Sequence, residues 1–261
     1  MATKYLLTIL YTCSLIIFSS CDLFKSPYKE ESPLSGKVVV SVSESQNSDK
    51  QGKPETAIDM WTEKIYPCAN YQILYDYYQD GSTLVFALHS VAIGEICLTA
   101  FGPAFLHQPL ALNPGIYHIK IELERNIDYY TLAVTDSAYQ ILSADTNISR
   151  PYNKTFWRYP INSFIYMCSS YGDMNDGWVC AAFVDTIRNT LPIVEVSKPS
   201  YGIFPYPTDT YFVYSRAADF DSAGALLKRF AKKYLTQERS AYIILQNWLN
   251  KRYASAVLRN Q

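Results

Sequence analysis

The segment from Tyr117 to Glu124 alternates apolar and polar residues more cleanly than any other part of the chain. Every second residue is apolar: Tyr117, Ile119, Ile121 and Leu123. The residues between them are polar or charged: His118, Lys120, Glu122 and Glu124. A period of two predicts a β-strand with one buried face and one face in water.

Further short strands are predicted on both sides of this segment. Apolar residues alternate with more polar ones between positions 71 and 77, and the dipeptide Asp80-Gly81 then marks a hairpin turn. Asn113-Pro114-Gly115 marks a second turn just before the clean strand. Repeated short strands joined by turns predict that residues 36–146 form an antiparallel β-sandwich of immunoglobulin-like type.

The second part of the chain, residues 161–261, has a mixed pattern, and the turn formers in residues 147–160 predict a linker before it. Strands are predicted at 164–168, 178–184 and 211–214. Asp221 is the predicted N-cap of a helix, whose apolar stripe consists of Leu227, Phe230, Ala231, Tyr234 and Leu235. Residues 241–258 form either a second helix or begin with a strand at 242–245, because the apolar run is too short for its period to decide. The expected fold is mainly β, with an α+β C-terminal half that contains one or two C-terminal helices.

Cysteines downstream of residue 21 are even in number: Cys68, Cys97, Cys168 and Cys180. In an oxidising compartment this predicts two disulfides. Pairing Cys68 with Cys97 and Cys168 with Cys180 is favoured, because each pair then lies within one half of the chain. The close spacing of a C-x-x-C metal site does not occur, so no metal site is predicted at these cysteines.

The first 21 residues have the pattern of an export signal. Lys4 is followed by an apolar run at 5–18 and then by Ser19-Ser20-Cys21. The run is shorter than the roughly 20 residues that a membrane-spanning helix needs, which favours a cleaved signal. This leader resembles the signal peptide of bacterial lipoproteins.

The resemblance covers the leader alone. It implies that residues 1–20 are removed and that Cys21 becomes the first residue of the mature protein, modified by acyl chains such as palmitate. The protein would then be anchored in the cell envelope, with the outer membrane favoured over the inner one. Residues 21–35 are polar and contain prolines, and they predict a tether between the lipid and the fold.

Charge is distributed unevenly along the chain. The net charge is −1, but residues 224–261 contain eight basic residues and one acid, which leaves −8 for the rest. Four of the basic residues lie beside the apolar stripe of the predicted helix: Lys228, Arg229, Lys232 and Lys233. This basic surface either faces water or the acidic remainder of the chain, or it docks on an anionic partner such as lipid head groups. A nucleic acid is not an expected partner of an exported protein.

Motifs of common catalytic chemistry are missing from the sequence, which has no His-Glu-x-x-His, no Gly-x-Ser-x-Gly and no glycine-rich phosphate loop. No catalytic residue, metal or cofactor is therefore assigned. The best candidate ligand loop contains Tyr171, Asp173, Asn175, Asp176 and Trp178. It could bind calcium or stack on a sugar, or it could be only a turn.

The function predicted from these features is a lipid-anchored, non-catalytic binding or structural protein of the cell envelope. Its candidate partners are an envelope protein, a glycan and an anionic lipid. The alternative is an envelope hydrolase whose catalytic carboxylates are dispersed in the sequence.

Overall fold

A computed structural model describes residues 30–46, 50–94, 96–171, 177–235 and 240–256. The leader, Cys21 and most of the predicted tether lie outside these ranges. Among the described residues, no helix combines the length and the apolar character needed to cross a membrane.

The N-terminal part, residues 30–160, contributes eleven strands to one curled sheet. They are β1 Glu30–Pro33, β2 Val38–Ser45, β3 Glu55–Tyr66, β4 Gln72–Asp80, β5 Thr83–Ile93, β6 Gly102–Leu110, β7 Gly115–Leu123, β8 Asn126–Val134, β9 Ala138–Asp145, β10 Ser149–Pro151 and β11 Thr155–Trp157. Their order across the sheet is β10-β2-β3-β6-β4-β5-β7-β8-β9-β11, and β1 pairs with β5. The segment expected to be a linker, 147–160, thus contributes β10 and β11 to this sheet.

The predicted alternating strand is β7. Ile119 and Ile121 are fully buried, whereas His118 and Glu124 are exposed. Its inward face joins a core that the other strands line with Val40, Ile58, Phe86, Leu132 and Phe156. The prediction of a mainly β, sandwich-like fold is confirmed. Most pairs are antiparallel, but β10 with β2, β4 with β6, and β5 with β7 are parallel.

The C-terminal part, residues 161–256, forms a second sheet with two helices. Its antiparallel strands have the order β13-β14-β12-β15-β16. They are β12 Ser163–Tyr171, β13 Ile193–Ser197, β14 Thr210–Tyr214, β15 Ser240–Asn247 and β16 Arg252–Ala254. The helices are α1 Gly177–Thr190 and α2 Ala217–Tyr234. Phe183 of α1 and Leu227 of α2 pack with Phe164 of β12 in one core.

The elements of the C-terminal part differ from the predicted ones at residues 178–184 and decide between the two alternatives for 241–258. The strand predicted at 178–184 is wrong: this segment belongs to α1, where Val179, Phe183 and Ile187 are fully buried at a spacing of four, the helical period. For 241–258 the strand alternative is confirmed, because β15 buries Ile243 and Leu245 at a spacing of two.

The predicted N-cap at Asp221 is also wrong. Helix α2 begins at Ala217, with Arg216 in the N-cap position and Asp219 in the first turn. Asp221 lies a turn inside the helix, and its carboxylate accepts hydrogen bonds from Lys251 (2.5 Å) and the Tyr253 hydroxyl (2.8 Å). The predicted apolar stripe is correct, since Leu227, Phe230 and Ala231 are buried.

Both predicted cysteine pairs lie at disulfide distance. The Cα atoms are 5.4 Å apart for Cys68 and Cys97 and 5.9 Å apart for Cys168 and Cys180. The first disulfide ties the loop before β6 to the turn after β3. The second ties β12 to α1. Each bridge therefore stabilises one part of the molecule.

The two parts meet at one end of the large sheet. The Gln46 side chain, just after β2, donates to the carbonyl oxygens of Asn247 (2.9 Å) and Trp248 (3.0 Å). The Gly52 amide donates to the carbonyl oxygen of Leu249 at 3.0 Å. We call this end, with the start of β3 and the β8–β9 turn, the junction end. The opposite end, where β3 and β5 finish and β6 begins, is the tip end.

Candidate functional site

The candidate ligand loop is described only at its edges. Asp173, Asn175 and Asp176 lie outside the described residues, and so does the side chain of Tyr171. Trp178 is 45% exposed at the start of α1, and its ring stands edge-on to Tyr234 with the centroids 6.2 Å apart. Calcium or sugar binding by this loop therefore stays a prediction.

The basic surface lies along the outer side of α2. Arg229, Lys232 and Lys233 are exposed and Lys228 is half-buried. The Lys233 ammonium lies 4.8 Å from the centre of the Tyr234 ring. The arrangement places four cations on one helix next to a buried apolar stripe, as the sequence predicts. Docking on an anionic partner stays a prediction.

The strongest structural candidate is a cleft at the junction end, which we call the junction cleft. It has a volume of about 270 Å³. Residues far apart in the sequence line it: Glu44, Lys53, Pro54, Leu112, Asn113, Pro114, Asp136, Arg158, Tyr159, Ile161 and Trp248. Loops between strands of the large sheet supply most of them, and Trp248 comes from the turn after β15. Both parts of the molecule thus build its walls.

Glu44 lines this cleft, and three hydrogen bonds hold its carboxylate. Its side chain is only 3% exposed. One carboxylate oxygen accepts from Arg158 Nε at 2.7 Å and from the Tyr139 hydroxyl at 3.0 Å. The other accepts from the Tyr159 backbone amide at 2.8 Å. A buried carboxylate is tolerated only when it is paired and hydrogen-bonded in this way.

Arg158 and Tyr139 are tuned by the same contacts. Burial opposes the charge of Arg158, but the hydrogen bond to Glu44 and the negative charges nearby together outweigh it, so the pKa of the guanidinium is raised. Arg158 Nη1 also donates to the Thr135 carbonyl oxygen at 3.0 Å. Burial raises the pKa of Tyr139, whose hydroxyl lies 2.5 Å from that of Thr56. Both groups therefore keep their usual protonation state at neutral pH and act as fixed donors.

The rim of the junction cleft is polar and open to solvent. Lys53, Asn113 and Asp136 are exposed there, and Tyr159 and Trp248 contribute half-buried aromatic rings. Such a wall offers a cation, an anion and an amide for hydrogen bonding next to flat apolar surface. Since both oxygens of Glu44 accept hydrogen bonds from protein groups, this carboxylate organises the wall.

A second polar group lies on the large sheet beside a cavity of about 400 Å³ lined by β4 and β6. His107 Nδ1 lies 2.6 Å from Asp59 Oδ1, and the Ser43 hydroxyl donates to Asp59 Oδ2 at 2.5 Å. Asp59 is thus between Ser43 and His107. A serine nucleophile is activated when the histidine lies next to it, with the aspartate behind, so this order does not build a hydrolase triad.

Sequence reasoning missed the junction cleft altogether. Glu44 is the first residue of the polar stretch 44–56, which the sequence predicts to be a loop, and Arg158 and Tyr159 lie in the expected linker. Their partnership spans 114 residues, so no local period or motif signals it. One feature of the sequence does point to the pair: Glu44 directly follows the β-branched run 37–43, and a carboxylate next to a buried strand needs a partner.

Within the described ranges, no group of three or more His, Cys, Asp and Glu residues is placed to hold a metal ion. No family model matches the chain, and no curated protein or solved structure is significantly similar to it.

Proposed function

We propose that this chain is a lipid-anchored, non-catalytic binding protein of the cell envelope, which binds its ligand in the junction cleft. The observation that carries the proposal is the pair of disulfides, Cys68–Cys97 and Cys168–Cys180, in a chain that begins with a lipoprotein-like leader. Disulfides persist in oxidising compartments outside the cytosol. They support export independently of the pattern around Cys21.

A glycan is the ligand class that the junction cleft supports best. Sugar hydroxyls need donors and acceptors close together, which Lys53, Asn113 and Asp136 supply at the rim. The apolar faces of sugar rings stack on aromatic side chains, and Tyr159 and Trp248 line the same cleft. The volume of about 270 Å³ suits one or two sugar units better than a folded partner.

Binding can be tested with soluble fragments of envelope polysaccharides by isothermal titration. The Asp136→Ala and Asn113→Ala variants remove exposed polar groups of the rim, and each is expected to weaken binding by about tenfold, the equivalent of one good hydrogen bond to a charged or amide group. Asp145→Ala is the matched control, because Asp145 is an exposed carboxylate at the end of β9 that lies away from the β8–β9 turn.

The control variant should bind like the wild type. Glycan binding that is equally strong in all four proteins would place the ligand outside the junction cleft. If none of the fragments binds to the wild type, the glycan class is wrong. Release of reducing sugar ends during the titration would favour the hydrolase alternative.

A further inference from the structure

An apolar surface protrudes from the tip end of the large sheet. The loop between β5 and β6 exposes Ile96 by 74%, Leu98 by 55% and Phe101 by 81%, and Ile65 at the end of β3 is 56% exposed. We call these four residues the apolar tip. Ile65 is paired with Pro103, two residues beyond Phe101, so all four lie at one end of adjacent strands. Exposed apolar side chains that are grouped at one end of a sheet mark contact surfaces.

The loop that carries the apolar tip is held in place. The disulfide Cys68–Cys97 ties it to the turn after β3. The Asn70 side chain donates to the Ile96 carbonyl oxygen at 2.7 Å and accepts from the Leu98 amide at 3.1 Å. Gly102 permits close approach, since a Cβ there would lie 3.1 Å from Ala69 Cα. The apolar side chains are thus presented on a fixed loop, which lowers the entropic cost of binding.

The chain enters the fold at the same end. Strand β1 pairs with β5, and Glu30 lies opposite Ile93, just before the loop of the apolar tip. Eight residues separate Glu30 from Cys21. Even fully extended, a segment of this length spans only about 30 Å. An acyl group on Cys21 would therefore keep the tip end of the sheet close to the bilayer surface.

The C-terminal part contacts the other end. Its hydrogen bonds to the large sheet involve the segments 46–52 and 155–157, at the junction end. Strand β3 alone separates the two ends by about 36 to 40 Å. The basic surface on α2 belongs to this part, so the exposed side chains that mark the tip end are apolar and do not include these cations.

From this arrangement we propose that the apolar tip inserts into the lipid surface in which the acyl chains of Cys21 are embedded. The proposal rests on the lipid anchor of the proposed function and adds a second, protein-based contact to it. Burial of apolar side chains in lipid adds to the binding free energy that the acyl chains supply. This contribution is insensitive to salt, because it pairs no charges. The orientation also leaves the junction cleft pointing away from the membrane.

The test uses the acylated protein on phosphatidylcholine vesicles that contain brominated lipid, which quenches nearby tryptophan. Phe101→Trp places the reporter in the apolar tip. Val194→Trp is the matched control, since Val194 is 64% exposed on β13 of the C-terminal part. Native tryptophans give the same background in both variants. Flotation of the vesicles shows separately whether the protein is bound.

We expect both variants to float. The emission added by Phe101→Trp should shift to the blue and be quenched, in low and in high salt, whereas that added by Val194→Trp should not. Floating protein without quenching at position 101 overturns the apolar tip proposal and leaves the anchor standing. The proposal is also overturned if the tryptophan at position 101 is shielded from solvent in whole cell envelopes but not on vesicles, because a protein and not lipid then covers the apolar tip. Protein that neither floats nor has an acyl mass on Cys21 contradicts both the anchor and the tip.

Discussion

The carboxylate of Glu44 accepts a hydrogen bond from Arg158 Nε at 2.7 Å, although 114 residues separate them in the sequence. Glu44 lies near the end of β2, and Arg158 directly follows β11. Their ion pair connects β2 to the residue after β11 at the junction end of the large sheet. It thereby orients the segment that leads to the C-terminal part. It is 3% exposed on the acidic side and 25% exposed on the basic side, so water screens it poorly.

Replacing Glu44 with Ala should destabilise the fold strongly. The change leaves the Arg158 guanidinium, the Tyr139 hydroxyl and the Tyr159 amide without their acceptor. Breaking one side of a buried pair costs about 3 kcal/mol or more in the free energy of unfolding. Urea unfolding followed by circular dichroism measures this loss.

The matched control is the exposed pair Arg188–Glu195, at 2.6 Å. Glu195→Ala should cost less than about 1 kcal/mol, because solvent screens the pair and its side chains are free to move in the variant. Equal losses in the two variants would contradict the structural role assigned to Glu44.

Asp128 is a second buried carboxylate that holds the backbone. It is fully buried and accepts hydrogen bonds from the amides of Asn147 (2.7 Å), Ile148 (3.1 Å) and Ser149 (2.7 Å). Asp128→Ala should therefore lower the free energy of unfolding by about 3 to 5 kcal/mol, since buried amides lose their acceptor.

Asp128→Asn keeps one acceptor oxygen and should lose less than the alanine variant. An alanine variant as stable as the wild type would show that these amides find other acceptors. The measurement is again urea unfolding, at a pH where carboxylates are ionised.

Alkaline pH should unfold the protein because several tyrosines are buried. Burial raises the pKa of Tyr130 to about 12, and the hydrogen bond with Ser149 only partly offsets it. Burial also raises the pKa of Tyr139, Tyr166 and Tyr206. In the unfolded chain these groups ionise near pH 10. The folded state then binds protons more tightly, so this contribution to stability is complete below about pH 10 and is lost as the pH rises towards about 12.

Tyrosinate absorbance measured during an alkaline titration checks this expectation. The exposed tyrosines should ionise near pH 10, and the buried group should ionise later, together with loss of the circular dichroism signal. Ionisation of all tyrosines in one step near pH 10 in a protein that stays folded would contradict the burial of these rings.

The fold was predictable where the signal is local. Neighbouring residues show the period of two in β7 and the helical period of the α2 stripe. These periods predict that Ile121 and Leu227 are buried, as they are in the structure. The cysteine pairs were predictable for a similar reason, since each pair lies within one part of the chain.

Other features depend on distant partners. Residues 178–184 are apolar enough for either a strand or a helix. They form part of helix α1, in which Phe183 packs against Phe230 of α2, a contact between distant residues that the local sequence does not show. The direction of a strand is not encoded in its alternation, so the parallel pairing of β5 with β7 gave no signal. The junction cleft is built by pairs such as Glu44 and Arg158, whose proximity exists only in the fold.

Anchoring of the protein in the cell envelope depends on acylation of Cys21. Mass spectrometry of the N-terminal peptide from protein produced in a bacterial host, grown with a fatty-acid analogue, tests it. We expect the mature chain to begin at Cys21 with acyl groups and the analogue attached, and a Cys21→Ser variant to take up no label. A mature wild-type chain that begins elsewhere, or that begins at an unmodified Cys21 and takes up no label, would contradict the claim.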